Sequence, residues 1–156
     1  MRALVVDNSQ ATRAVLSKIL LSLSPLIKVT EAENGKQALR AMTKEMFDLI
    51  ITDLEMEGGS GAVFIKHLQD SRLLKNKPII IYTSTPYFEE TADNIVVVSK
   101  TLTPMAELST IIKELIFKYK ICPKCPEAIN GTTCNNICFY HHLDNKWQDK
   151  IKTHLK

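Results

Sequence analysis

Five short β-rich apolar runs alternate with segments of helical period through the first 119 residues, and this alternation limits the possible folds more than any other feature of the chain. The spacing predicts strands near residues 2–6, 27–31, 48–52, 78–82 and 95–99. Between them, Gln10–Leu23, Gly35–Lys44, Gly61–Ser71 and Pro104–Tyr119 carry apolar side chains at helical intervals. Thr103 followed by Pro104 is a favourable helix start. The short polar segment Pro86–Asp93 predicts an abbreviated helix. Strands separated by helices form repeated βα units, so the strands run parallel, and right-handed crossovers place helices on both faces of the sheet.

Four polar residues sit at the downstream ends of these runs: Asp7 after ALVV, Asp53 after FDLIIT, Thr83 after PIIIY and Lys100 after IVVVS. In an open parallel sheet such ends share one edge, where ligand crevices form. Each residue taken alone is an ordinary turn or sheet-end residue. Their joint placement predicts one acidic, hydroxyl-bearing and cationic pocket.

The hydrophobic fraction of 45% and charged fraction of 24% suit a soluble globular protein. The first apolar stretch is broken at Asp7, too soon for a signal peptide, and no run reaches membrane-spanning length, so a cytoplasmic protein without membrane contact is expected. The net charge of +3 is unevenly divided. Residues 1–119 hold 14 Lys/Arg against 14 Asp/Glu, whereas residues 120–156 hold 6 against 3. All four cysteines also fall in that tail, which marks residues 120–156 as a second, smaller module.

Residues 1–119 resemble a response-regulator receiver domain, the phosphoacceptor module of two-component signalling. The resemblance rests on VVDNSQATR, EAENGKQAL, FDLIITDLEMEGGSG, PIIIYTS and VVVSK in order. It implies a flavodoxin-like, doubly wound five-stranded sheet of order 2-1-3-4-5. It also implies that Asp53 accepts a phosphoryl group from a histidine kinase or phosphotransfer protein, and that Mg²⁺ is held by Asp7, Asn8, Asp53 and the backbone carbonyl of Glu55. Lys100 and Thr83 would contact the phosphoryl oxygens and carry the switch to a downstream protein target. Such a protein is a signalling phosphoacceptor and not an enzyme in its own right, although it assists its own phosphotransfer and dephosphorylation.

Four positions depart from the family pattern. Asn8 stands where a second acid is usual, and an amide oxygen brings one negative charge fewer to Mg²⁺. Thr101 replaces the proline after the lysine, Met56-Glu57 replaces Met-Pro, and Val97 replaces the aromatic before the lysine. The usual coupling between Thr83 and that aromatic is therefore lost. A second reading stays open: a phosphorylation-independent pseudo-receiver acting as an adaptor, whose tail binds protein or RNA.

In the tail, Cys122 and Cys125 have a spacing that presents two thiolates to one Zn²⁺. Cys134 and Cys138 complete a four-cysteine set. The alternative uses Cys125, Cys134, Cys138 and His142, a spacing similar to Cys-Cys-Cys-His fingers. So short a segment has few apolar residues, and metal binding would drive its folding. A pair of disulfides is disfavoured in a cytoplasmic chain. Lys146, Lys150, Lys152 and Lys156 flank Trp147, Ile151 and Leu155 at helical spacing, a short basic helix whose apolar side is expected to pack on its own module, with contact to nucleic acid or an acidic protein surface as the alternative.

Overall fold

The apolar runs become five parallel strands, ordered β2-β1-β3-β4-β5 across one sheet. They are β1 (Arg2–Val6), β2 (Lys28–Ala32), β3 (Leu49–Thr52), β4 (Ile79–Thr83) and β5 (Ile95–Ser99). Among the described residues four helices intervene or follow: α1 (Gln10–Leu23), α2 (Gly35–Lys44), α3 (Ser60–Asp70) and α4 (Met105–Lys118). The computed structural model describes residues 1–57, 60–71, 74, 76–86 and 91–119. The cysteine cluster, His142 and the basic C-terminal segment lie outside the described residues, as do residues 87–90 of the segment where an abbreviated helix was expected.

Local chemistry explains where the helices begin. Ser9 caps α1 by accepting the Thr12 amide at 3.3 Å, and Asn34 caps α2 by accepting the Gln37 amide at 2.9 Å. Gln37 reaches back to accept the Glu33 amide at 3.1 Å, which satisfies another donor at the same helix end. The start of α4 differs from expectation by one residue. Pro104 is the cap, because the Thr103 amide donates to the Ser99 carbonyl at 3.1 Å and draws Thr103 into the preceding turn.

Strand parity divides the core into two layers. Ala3, Val5, Leu49, Ile51, Ile80, Tyr82 and Val98 face one side, where Leu16 and Leu20 of α1 and Leu108, Ile112, Leu115 and Ile116 of α4 cover them. Leu4, Val6, Ile50, Ile79, Ile81 and Ile95 face the other, against Ala38 of α2 and Phe64, Ile65 and Leu68 of α3. Strands buried on both faces need apolar residues at successive positions, which is why Leu49–Ile51 and Ile79–Ile81 read as unbroken runs. Each fully buried aliphatic side chain here contributes about 1.5–3 kcal/mol of transfer free energy. Among the described residues no helix is long and apolar enough to cross a membrane.

Candidate functional site

The ladder extends one residue beyond the strands and carries the expected site residues with it. The Asp7 amide donates to the Ala32 carbonyl at 3.1 Å, Asp53 to Val6 at 2.9 Å, and Lys100 to Thr83 at 2.8 Å. The central strands β1 and β3 therefore present Asp7 and Asp53 side by side, 1% and 5% exposed. Thr83 ends β4, and Lys100 follows β5 at the sheet edge.

Three of the predicted residues meet in one ion cluster. Lys100 Nζ donates to Asp7 Oδ2 at 2.7 Å and to Asp53 Oδ2 at 2.5 Å, and only 17% of its side chain is exposed. Burial by itself would lower the lysine pKa, but the hydrogen bonds and charges of Asp53 and Asp7 together outweigh it and raise the value. The second oxygens are also occupied: Asp7 Oδ1 accepts the Ser9 amide at 2.8 Å, and Asp53 Oδ1 accepts the Glu55 amide at 3.1 Å. Two carboxylates against one ammonium leave a formal charge of about −1 in a pocket that screens poorly.

Other predicted residues stand at the margin of this cluster. Asn8 and Glu55 are exposed beside it. Thr83 is 1% exposed and its Oγ1 accepts the Thr85 amide at 3.2 Å, so the hydroxyl is held by its own loop. Val97 lies on β5 and is 39% exposed.

Two neighbours of the site escape a reading of the strand ends. Arg13, in the first turn of α1, donates through Nη1 to the carbonyls of Asp7 at 2.8 Å and Asn8 at 3.3 Å while pairing with Glu31 at 3.3 Å. It clamps the loop that carries Asp7. Tyr82 is 2% exposed, and Lys100 Nζ stands 5.6 Å from its ring centroid. Burial pushes the phenol pKa up, the Lys100 charge opposes that rise, and Asp7 adds to it. The signals for both were present: Arg13 lies four residues after the cap Ser9, and Tyr82 interrupts an aliphatic run directly before Thr83.

Gly61 lets α3 start against the backbone that follows Asp53. A β-carbon there would lie 2.0 Å from the Leu54 carbonyl oxygen and 3.0 Å from that of Asp53. This close approach requires glycine.

The donors suit Mg²⁺, which prefers hard oxygen ligands and retains several waters. Two buried carboxylates with excess negative charge provide such oxygens, and the Glu55 carbonyl lies two residues beyond Asp53. Among the described residues no group of three or more His, Cys, Asp or Glu side chains gathers to form a richer metal site.

This sheet order, with two acids and a lysine at its carboxyl edge, defines the chain as a member of the response regulator receiver domain family, whose profile matches residues 3–101. Among its relatives, the two-component response regulator ORR6 of Oryza sativa is 36% identical over 87 residues, which are 54% of this chain and 50% of that protein. Chemotaxis protein CheY-3 of Vibrio cholerae is 30% identical over 84 residues, covering 54% of this chain and 64% of the relative. The chain thus spans less than two thirds of either relative's length. The structure also resembles response regulator TrrA of Thermotoga maritima, solved in complex with Mg²⁺ and beryllium fluoride, with a TM-score of 0.59 and 30% identity over 73% of this chain and 97% of that one. TrrA has also been solved in complex with the histidine kinase ThkA.

Proposed function

We propose that this protein is a response regulator that accepts a phosphoryl group on Asp53 from a histidine kinase or phosphotransfer protein and signals through altered protein contacts. The observation that carries the reading is the meeting of Asp7, Asp53 and Lys100 from three separate strand ends, with both carboxylates buried and one ammonium between them. In the transfer, an Asp53 carboxylate oxygen attacks the phosphorus of a phosphohistidine. The new O–P bond forms as the P–N bond breaks, and the imidazole leaves with the bonding pair and takes up a proton.

Asp7, Asp53, the Glu55 carbonyl and the Asn8 amide oxygen are the groups that would hold Mg²⁺, and the cation supplies neutralisation of the approaching phosphoryl oxygens. Lys100 then exchanges a carboxylate partner for a phosphoryl oxygen, and the Thr83 hydroxyl leaves the Thr85 amide to bond the same group. The adduct brings about −1.5 to −2 charges. The chain acts as a phosphoacceptor that assists its own phosphorylation and dephosphorylation, in the cytoplasm, and not as a separate enzyme.

The reading extends to two units, a receiver at residues 1–119 and an appended module at 120–156. Cysteine spacing supports a structural Zn²⁺ held by Cys122, Cys125, Cys134 and Cys138, with His142 as the alternative ligand. Metal analysis of the purified chain should give about one zinc per molecule, lost on replacement of Cys134 by serine.

A second reading, the adaptor that needs no phosphorylation, draws on the departures from the family pattern: Asn8 withholds a charge from the metal, and Thr101 and Val97 stand where the proline and the aromatic of the switch are usual. Intact-mass measurement after incubation with Mg²⁺ and acetyl phosphate separates the two. A phosphoryl adduct on the native chain, absent from Asp53→Ala, is the expected result. Absence of an adduct at high Mg²⁺, with candidate kinases also supplied, would favour the adaptor.

A further inference from the structure

We propose that Tyr82 is a positioning residue that holds Lys100 and relays the state of Asp53 to the first turn of α4 through Met105. The trigger of this relay rests on the phosphoacceptor reading above, but its parts are independent of it.

Tyr82 occupies the penultimate position of β4, where strand parity turns it toward the α1 and α4 layer. Its ring has two polar neighbours at opposite ends of the relay. The Lys100 ammonium lies 5.6 Å from the ring centroid, inside the range of cation–π attraction. The phenol hydroxyl donates to Met105 Sδ at 4.0 Å, and Met105 is the first residue of α4.

An ammonium has three donors. Two of those on Lys100 are directed at Asp7 and Asp53, and the attraction of the Tyr82 face limits where the nitrogen can sit between them. Adding a dianionic group at Asp53 changes the pull on this nitrogen. The ring, fully packed at 2% exposure, cannot follow by small elastic steps, since close-packed interiors shift only by displacing neighbours. Met105 is the yielding neighbour: it is 45% exposed and has a flexible, polarizable side chain. Position 97 on β5 offers no ring for this task, so the coupling aromatic lies on β4, beside the lysine.

The test uses the full chain with ¹³C-methyl methionine, the Met105 signal being assigned with Met105→Leu. Asp53 is loaded with acetyl phosphate and Mg²⁺, and loading is followed by intact mass. The Met105 methyl should move in step with the adduct. In Tyr82→Phe, which keeps the ring under Lys100 and removes only the contact to sulfur, the adduct should still form while the displacement falls at least about twofold. An undiminished displacement in Tyr82→Phe at equal loading overturns the relay. If the native chain forms no adduct, the phosphoacceptor reading fails and the relay is judged without it. Lys100→Gln should then displace the Met105 methyl in the resting protein, and by at least about twofold less in the Tyr82→Phe background. Equal displacement in both backgrounds overturns the proposal.

Discussion

Replacing Lys100 with methionine tests the charge arrangement of the site most directly. The lysine bridges Asp7 Oδ2 and Asp53 Oδ2 at 2.7 and 2.5 Å, so these oxygens are within about 5 Å of one another. At an effective dielectric of about 20, two unit charges at that separation repel by about 3 kcal/mol. Removing one member of a buried ion pair generally costs about 3–5 kcal/mol, and the repulsion accounts for much of that here. Urea unfolding at neutral pH should therefore show a loss of about 3–5 kcal/mol, and the melting temperature should fall by more than about 10 °C. Asp53→Asn is the comparison. It leaves one carboxylate against one ammonium, a neutral pair, and should remain within about 1 kcal/mol of the native protein.

The pH dependence has a definite sign. In the native protein the raised lysine pKa means that its contribution is complete below the ordinary lysine value near about 10.4 and is lost as the pH rises through the raised value. A Lys100→Met deficit below about 1 kcal/mol would refute the buried bridge, because that is the behaviour of an exposed ion pair.

Three further outcomes are expected. Asn8→Asp restores a negative charge beside Asp7, and the Mg²⁺ concentration giving half-maximal Asp53 adduct should fall at least about tenfold in a mass-based titration, a gain of about 1.4 kcal/mol. Gly61→Ala drives a β-carbon to 2.0 Å from a backbone oxygen, so it should cost at least about 1–3 kcal/mol in urea unfolding and move the amide signals of Leu54 and Glu55. Partial burial pushes the Asp48 pKa up, but the Arg2 amide at 2.9 Å and Lys77 at 3.1 Å outweigh it and hold the value down. The resulting stability is present above the ordinary aspartate pKa and lost as the pH falls through the depressed value, so Asp48→Asn should flatten the acid limb of the stability profile below pH of about 4.

Much of the fold was legible because its signals are local. The runs ALVV, LIIT and PIII specify buried strands by composition over four or five residues, and the helices between them are set by spacing over a few turns. Their boundaries moved by only a residue, as at β4, expected near 78–82 and found at Ile79–Thr83. The one-residue shift at α4 came from a contact between Thr103 and Ser99 that depends on the path of the preceding turn.

The order of βα units and the positions of Asp7, Asp53, Thr83 and Lys100 at strand ends were determined by the sequence alone, since a short continuous apolar run ended by a polar residue fixes both the strand and its exit. Tertiary structure decided which of these groups touch. Lys100 is 93 residues from Asp7 and 47 from Asp53, and its bridge between them depends on the register of β5 against β4 and of β3 against β1. The same packing turned Thr83 to its own loop and set Tyr82 beside the ammonium, with Arg13 clamping the Asp7 loop. Local preferences act across one turn or a few strand positions, whereas an ion pair across a sheet is fixed only when every intervening strand has taken its register.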